Sequence, residues 1–460
     1  MGEADLVVAS NRGPLSFSID EDGRPVSVGS AGGLAAALQP LLEGSGAGWV
    51  ACALSDADRM ANARGLVTLD GIDMFLVEPD PATYRMAYDV VANSTLWFCH
   101  HHLFDLTRRP RFDRFWTEAW EQYRELNRAF AAVVLEIASP GATVLVQDYH
   151  LCLLPGMLAV EREDLRSVHF THTPFADPNV LRVLPAPAAR ELLRGMSAAA
   201  GAGFHTTRWE SAFLACCADN DVEPPHTFVS PLSPDPAHLA KRAASPRCLE
   251  AGERLDALIG DRQVVLSVDR VEPSKNLLRG FWSFDELMHR HPELRGKVVL
   301  LSLTYPSRQS LPEYLAYATE IEHTAQWLND TWGTDDWTPV LFDMADDPDR
   351  SFAALKRYDV LLVNPLRDGL NLVAKEGPLI NTTDGVLALS REAGSFAELR
   401  DEAIELNPFD VTGTAQALAH ALTMAPEERR RRARSLRALV TRRKPGRWLT
   451  EQTALAGAGG

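Results

Sequence analysis

The chain has 460 residues and is 46% hydrophobic, too long for one ordinary core and suited to two domains. Its 46 Lys and Arg against 62 Asp and Glu leave a formal charge of −16. A chain this acidic lacks the field of a general nucleic-acid binder, so any anionic ligand must be held by a local cluster of cations.

No apolar run approaches the roughly 20 residues that span a bilayer, and the opening Met1-Gly2-Glu3-Ala4-Asp5 lacks a basic stretch leading into an apolar core. Leu6 stands where a myristoylation signal needs Ser or Thr. The six cysteines, none in a Cys-x-x-Cys pair, read as reduced core thiols. The expectation is a cytoplasmic protein with no membrane and no nucleic-acid partner, and a homo-oligomer is compatible with it.

In chain order, short apolar runs end in polar turns. Leu6-Val7-Val8-Ala9 leads to Ser10-Asn11-Arg12-Gly13-Pro14, and Val144-Leu145-Val146 to Gln147-Asp148-Tyr149-His150. Val168-His169-Phe170 leads to Thr171-His172-Thr173-Pro174, and residues 264–268 to Asp269-Arg270. Residues 298–303 lead to Thr304-Tyr305-Pro306-Ser307-Arg308, and Val360-Leu361-Leu362-Val363 to Asn364-Pro365-Leu366-Arg367-Asp368-Gly369. Runs apolar on both faces are strands of a helix-covered parallel sheet. Between them Phe112, Phe115, Trp116, Trp120, Tyr123, Leu126, Phe130 and Val133 form a helical stripe that should stop at the breaker Ser139-Pro140-Gly141.

Strand followed by helix, repeated twice over, predicts an α/β protein of two doubly wound domains. The proline-rich stretch from Pro224 to Pro236 places a hinge near residue 233. The expected domains are 1–233 and 234–443, with 444–460 packing back toward the first. Residues 427–434 read as a charged, solvated helix face. The polar turns follow the carboxyl ends of strands, where such folds bind ligands.

Ser30-Ala31-Gly32-Gly33-Leu34 reads as a glycine turn opening a helix, where backbone N–H groups can approach a phosphate; an ordinary turn fits equally well. Arg270 and Lys275, five apart after a buried strand, suit a diphosphate, and a solvated loop is the competing reading. In Arg367-Asp368-Gly369-Leu370-Asn371-Leu372-Val373-Ala374-Lys375-Glu376 a strand ends and a helix begins. Amides there can bind phosphate, Asp368 can accept sugar hydroxyls, and Glu376 can accept ribose hydroxyls. His100, His101 and His102 are adjacent, and adjacent residues rarely converge on one ion, so no metal site is expected.

These motifs, with Asn11-Arg12, Ala31-Gly32-Gly33-Leu34, Asp148-Tyr149-His150-Leu151 and His172-Thr173-Pro174-Phe175, occur in the order seen in trehalose-6-phosphate synthases. From about residue 5 to residue 425 the chain resembles that family, whose members are retaining glycosyltransferases of the GT-B architecture. The resemblance implies a nucleoside diphosphate glucose donor, a glucose 6-phosphate acceptor, an active site in an interdomain cleft, and no metal or tightly bound cofactor. It implies that Arg12, Tyr88, Trp97 and Arg308 cradle the acceptor's phosphate and that Asp148 binds an acceptor hydroxyl. Gly33, Arg270 and Lys275 would hold the diphosphate, His172 and Asp368 the donor's glucose, and Glu376 the ribose. Departures are Asn276 where relatives have Gly, Thr171 and Thr173 flanking His172, and the histidine triplet. Asp343, in a stretch that borders the nucleobase in the family, is the candidate for selecting guanine, with Asp346 second, because a carboxylate can accept from N1–H and the N2 amino group together; a solvated acidic loop is the competing reading. GDP-glucose is therefore expected over UDP-glucose.

Two rivals carry less support. A pseudo-glycosyltransferase joining cyclitol units is opposed by Tyr88, Trp97 and Asp148, and a non-catalytic regulator by the presence of Arg270, Lys275 and Glu376.

Overall fold

The computed structural model describes residues 4–29, 33–65 and 67–457. The chain divides into two compact units, Met1–Pro231 with Gly446–Gly460, and Leu232–Pro445.

The first unit contains β1 (Ala4–Ala9), β2 (Leu15–Ile19), β3 (Pro25–Gly29), β4 (Gly48–Cys52), β5 (Val67–Leu69) and β6 (Ile72–Val77). It continues with β7 (Ala138–Gln147), β8 (Arg166–Thr171), β9 (Gly201–Phe204) and β10 (His226–Val229). Among the described residues eight of these form one sheet in the order β10-β9-β8-β7-β1-β4-β6-β5, and β2 pairs with β3 apart from it. Every pair in the large sheet is parallel except β5 with β6. Strand order reverses between β1 and β7, which opens a crevice beyond their carboxyl ends.

The second unit contains β11 (Gln263–Arg270), β12 (Val298–Tyr305), β13 (Val340–Asp343), β14 (Val360–Val363), β15 (Val386–Ser390) and β16 (Ile404–Leu406). They form an all-parallel sheet in the order β13-β12-β11-β14-β15-β16, with its reversal between β11 and β14. Val264, Val265, Leu266, Val298, Leu300, Leu361 and Leu387 are buried because helices cover both faces, which is why these strands read as unbroken apolar runs.

Some elements differ from expectation. The aromatic helix spans Arg114–Ile137, and β7 begins at the next residue, so Ser139-Pro140-Gly141 lies inside a strand. The pairing slips there, from Ala4 opposite Ala138 to Leu6 opposite Thr143, and the irregularity absorbs the proline and glycine. Met86–Trp97 winds as a π-helix, a form that concentrates at functional sites. Residues 427–434 belong to the helix Pro426–Thr441, and its polar face is partly tied down: Arg429 reaches Asp359 at 3.0 Å. The last helix, Arg447–Gly457, belongs to the first unit, where buried Trp448 packs edge-on against Phe170 with ring centroids 5.2 Å apart. Among the described residues no helix is long and apolar enough to cross a membrane.

Candidate active site

Several candidate residues of each unit follow the strands at its own strand-order reversal: Arg12 and Asp148 after β1 and β7, Arg270, Lys275 and Asp368 at β11 and β14. In the first, the turn after β1 is pinned by Ser10, whose hydroxyl donates to the Arg12 carbonyl at 2.7 Å and accepts from Trp49 Nε1 at 2.8 Å. Arg12 itself is exposed. Asn11 Nδ2 donates to the Tyr84 phenol oxygen at 3.1 Å, Tyr84 stacks on Tyr88 at 5.1 Å, and Tyr88 stacks on His150 at 5.6 Å. Trp97 lies 5.7 Å from the ring of Tyr149, whose hydroxyl donates to Asn93 Oδ1 at 2.9 Å. Tyr88 thus stacks between Tyr84 and His150, and Trp97 packs on Tyr149, the residue after Asp148.

Asp148 directly follows β7 with φ 69° and ψ 176°, a conformation costly for any residue with a Cβ. Its Oδ1 accepts from the backbone N–H of His172 at 3.1 Å and of Thr173 at 3.4 Å, which repays the strain by joining the β7 and β8 turns. The His172 ring is already engaged: Nε2 lies 2.8 Å from Gln147 Oε1 and Nδ1 lies 3.1 Å from His205 Nε2. Burial, then His205 and His169, hold its pKa well below the usual range, so it is neutral. The histidine triplet points three ways. His100 Nδ1 accepts from the Ala176 N–H, His101 Nδ1 lies 2.9 Å from the Trp97 carbonyl, and His102 faces Asp177 at 3.5 Å. Gly32 lies outside the described residues, and Gly33 opens the helix Gly33–Leu42.

In the second unit β11 and β14 end side by side. Lys275 Nζ lies 2.6 Å from Asp368 Oδ2 and 3.6 Å from Asp269 Oδ1. Burial acts to lower the Lys275 pKa, but Asp368 and then Asp269 outweigh it and hold it above the usual range, so the ammonium keeps its charge. Burial pushes Asp269 up to about 7. Arg270 Nη1 meets Glu272 Oε1 at 3.0 Å, and Arg308 Nη1 meets the same oxygen at 2.5 Å. Asn276 adopts φ 61° and ψ 34°. This left-handed conformation is the one glycine and asparagine tolerate best, so the departure from glycine at this position leaves the turn intact.

Around Asp368 the chain folds back on itself. Leu370 N–H donates to Asp368 Oδ1 at 3.2 Å and Asn371 Nδ2 to Asp368 Oδ2 at 3.2 Å. Asn371, at φ 71°, also accepts from the Ala374 N–H at 3.2 Å, just before the helix Val373–Ile380. That helix start presents the amides of Leu372 and Val373, which have no carbonyl a turn earlier in the helix to bond. Gly394 holds the loop from behind: its N–H donates to the Asp368 carbonyl at 3.0 Å, and a Cβ there would collide with the Gly369 carbonyl oxygen. Glu376, in the first turn, has its carboxyl pushed up by burial to about 7. Asp343 ends β13 and does not present a free carboxylate to a base, because Arg350 already takes its Oδ2.

Sequence reasoning passed over Glu272 and Gly394. The first had a signal, an acid between Arg270 and Lys275 two residues after a largely buried strand. Gly394 had none, since it matters through residues 25 positions earlier.

Two doubly wound parallel-sheet units, with cations and a helix start gathered at a strand-order reversal, have the architecture of the GT-B glycosyltransferases. The family model for glycosyltransferase family 20 matches residues 4–456. The trehalose-6-phosphate synthase of Mycolicibacterium vanbaalenii is 34% identical over 97% of this chain and 94% of its own. The bifunctional trehalose-6-phosphate synthase/phosphatase of Thermoproteus tenax is 31% identical over 97% of this chain, which spans 62% of that relative's length. A crystal structure of a UDP-forming alpha,alpha-trehalose-phosphate synthase from Burkholderia xenovorans, in complex with glucose-6-phosphate, superposes with a TM-score of 0.87 at 26% identity, covering 98% of this chain and 99% of its own. The chain belongs to glycosyltransferase family 20, among its trehalose-6-phosphate synthases, and is a hexosyltransferase.

Proposed function

We propose that the protein transfers glucose, with retention, from a nucleoside diphosphate glucose to the C1 hydroxyl of glucose 6-phosphate, giving α,α-trehalose 6-phosphate in the cytoplasm. The observation that carries this reading is the charged group at the β11–β14 reversal: Lys275 on Asp368 at 2.6 Å, with Arg270 beside it at the end of β11. The donor's C1–O bond to phosphate breaks as C1 bonds to the acceptor oxygen on the same face. The acceptor's proton passes to the departing phosphate oxygen, whose charge Arg270 and Lys275 stabilise. Asp368 and His172 are the proposed ligands of the donor's glucose hydroxyls. Asp148 receives an acceptor hydroxyl, and Arg12, Tyr88, Trp97 and Arg308 receive the acceptor's phosphate. The amides at the start of the helix Val373–Ile380 bind the diphosphate and Glu376 the ribose. The Burkholderia relative, UDP-forming and bound to glucose-6-phosphate, supports the choice of substrates.

Glu376 makes ribose binding visible as a proton count. Ribose hydroxyls donate to the ionised carboxylate and lower a pKa that stands at about 7 in the free protein. Below that pH the free carboxyl carries a proton, and binding expels it. Titration with GDP or UDP at pH 6, in two buffers of different ionisation enthalpy, should show proton release that is smaller in Glu376→Gln than in the unmodified protein, with the difference fading above pH 8. Proton uptake at pH 6 would contradict the role.

The preference for GDP-glucose is the finer part of the proposal. With Oδ2 of Asp343 on Arg350, one carboxylate oxygen remains for guanine's two donors, so the preference shrinks to that of a single hydrogen bond, about tenfold or less. Measuring kcat/KM for GDP-, UDP- and ADP-glucose with glucose 6-phosphate tests it. A higher value for UDP-glucose removes the donor preference, and no turnover with any of the three removes the proposed reaction.

A further inference from the structure

Glu272 takes no part in the reading above, yet it is the most buried acid among the described residues of the second unit. It lies two residues beyond β11 and is 0% exposed. Its Oε1 accepts from Arg270 Nη1 at 3.0 Å, from Arg308 Nη1 at 2.5 Å and from the Ser307 hydroxyl at 2.8 Å. Its Oε2 accepts no hydrogen bond among the described residues. A buried carboxylate has acceptor sites on both oxygens, so three donors converging on one of them mark where its interactions are concentrated. Burial works to raise its pKa, but Arg270 and then Arg308 outweigh it and hold it at about 2, so it is ionised throughout the neutral range. Without that charge, two guanidiniums brought onto one point would repel each other.

The two arginines come from different strands, Arg270 ending β11 and Arg308 following β12. Arg308 is set by its own backbone, at φ 44°, and by a bond from Nη1 to the Tyr314 oxygen at 3.0 Å. Glu272 Oε1 therefore links the proposed ligand of the leaving diphosphate directly to the proposed ligand of the acceptor's phosphate.

We infer that Glu272 is a positioning residue that couples donor and acceptor binding through its Oε1, so that an anion on Arg270 orders Arg308 for the other anion. The inference rests on the proposed function. A diphosphate that draws Arg270 toward itself leaves more of the Oε1 charge to Arg308, which holds that guanidinium more firmly in the orientation its bond to Tyr314 already favours. The effect is reciprocal, because linkage requires each ligand to change the other's affinity by the same factor.

Calorimetry on the full chain tests it, with the Kd of glucose 6-phosphate measured alone and with saturating UDP or GDP. In the unmodified protein the nucleotide should tighten glucose 6-phosphate binding by about five- to fiftyfold, within the usual range of coupling between sites. In E272Q, which keeps the shape and removes the charge, that ratio should fall to within twofold of one. Ser307→Ala, which removes only the third donor to Oε1, should cut the ratio at least twofold and serves if E272Q does not fold. A ratio of one in the unmodified protein overturns the inference, as does a ratio unchanged in both variants, which would leave Glu272 a purely structural ion-pair partner. If neither ligand binds the unmodified protein, the proposed function itself falls and the inference with it.

Discussion

Free glucose should be turned over with a kcat/KM about 10³- to 10⁵-fold below that of glucose 6-phosphate, the scale on which sites built for a polar group reject a substrate that lacks it. Arg12 is exposed at the end of β1, and Arg308, in the other unit, has a side chain only 7% exposed and is held on Glu272. Both are guanidiniums, the group whose donors match phosphate geometry. If these residues have the roles proposed, a substrate without the phosphate forfeits charge-assisted bonds in the transition state as well as the ground state. Initial rates with the two acceptors at fixed donor concentration give the ratio directly. A ratio near one would remove Arg12, Tyr88 and Arg308 from acceptor recognition and leave the leaving-group assignment untouched.

Lys275→Ala should lower kcat about 10²- to 10³-fold, roughly 3–4 kcal/mol in the barrier, with a smaller change in the KM of glucose 6-phosphate. The ammonium is nearly buried, charged, and 2.6 Å from Asp368, so it is preorganised for a charge that grows as the bond to phosphate breaks. Deleting it also leaves Asp368 and Asp269 without their cation, so thermal unfolding must be measured on the same sample. Full turnover by a folded Lys275→Ala protein would exclude the role.

The parallel sheets were legible because buried strands show themselves as apolar runs, as Val264-Val265-Leu266 and Val360-Leu361-Leu362-Val363 do. β9 gave no such sign. Its Gly201-Ala202-Gly203-Phe204 carries little side chain, because the rings of Phe170 and Phe228 lie against Gly203 and leave no room for a Cβ. The aromatic helix stops at Ile137, just before Ser139-Pro140-Gly141, but that segment was not legible as strand because a register slip in β7 accommodates its proline and glycine. In the candidate site, residues next to a strand end could be named from the sequence, since the turn after a strand is local information. Their partners could not. The tie between His172 and His205, the pairing of Asp343 with Arg350 and the convergence of Arg270 and Arg308 on Glu272 all depend on side-chain directions that spacing does not encode.

The most direct test of the whole account is the structure of the product. Incubating the purified protein with a nucleoside diphosphate glucose and glucose 6-phosphate, then reading the disaccharide phosphate by proton and carbon NMR, reports both the linkage and the configuration. The account predicts a disaccharide joined through both anomeric carbons, each in the α configuration, with one sugar phosphorylated at C6. A product bonded through any other acceptor hydroxyl, or one with the donor carbon inverted to β, would contradict it.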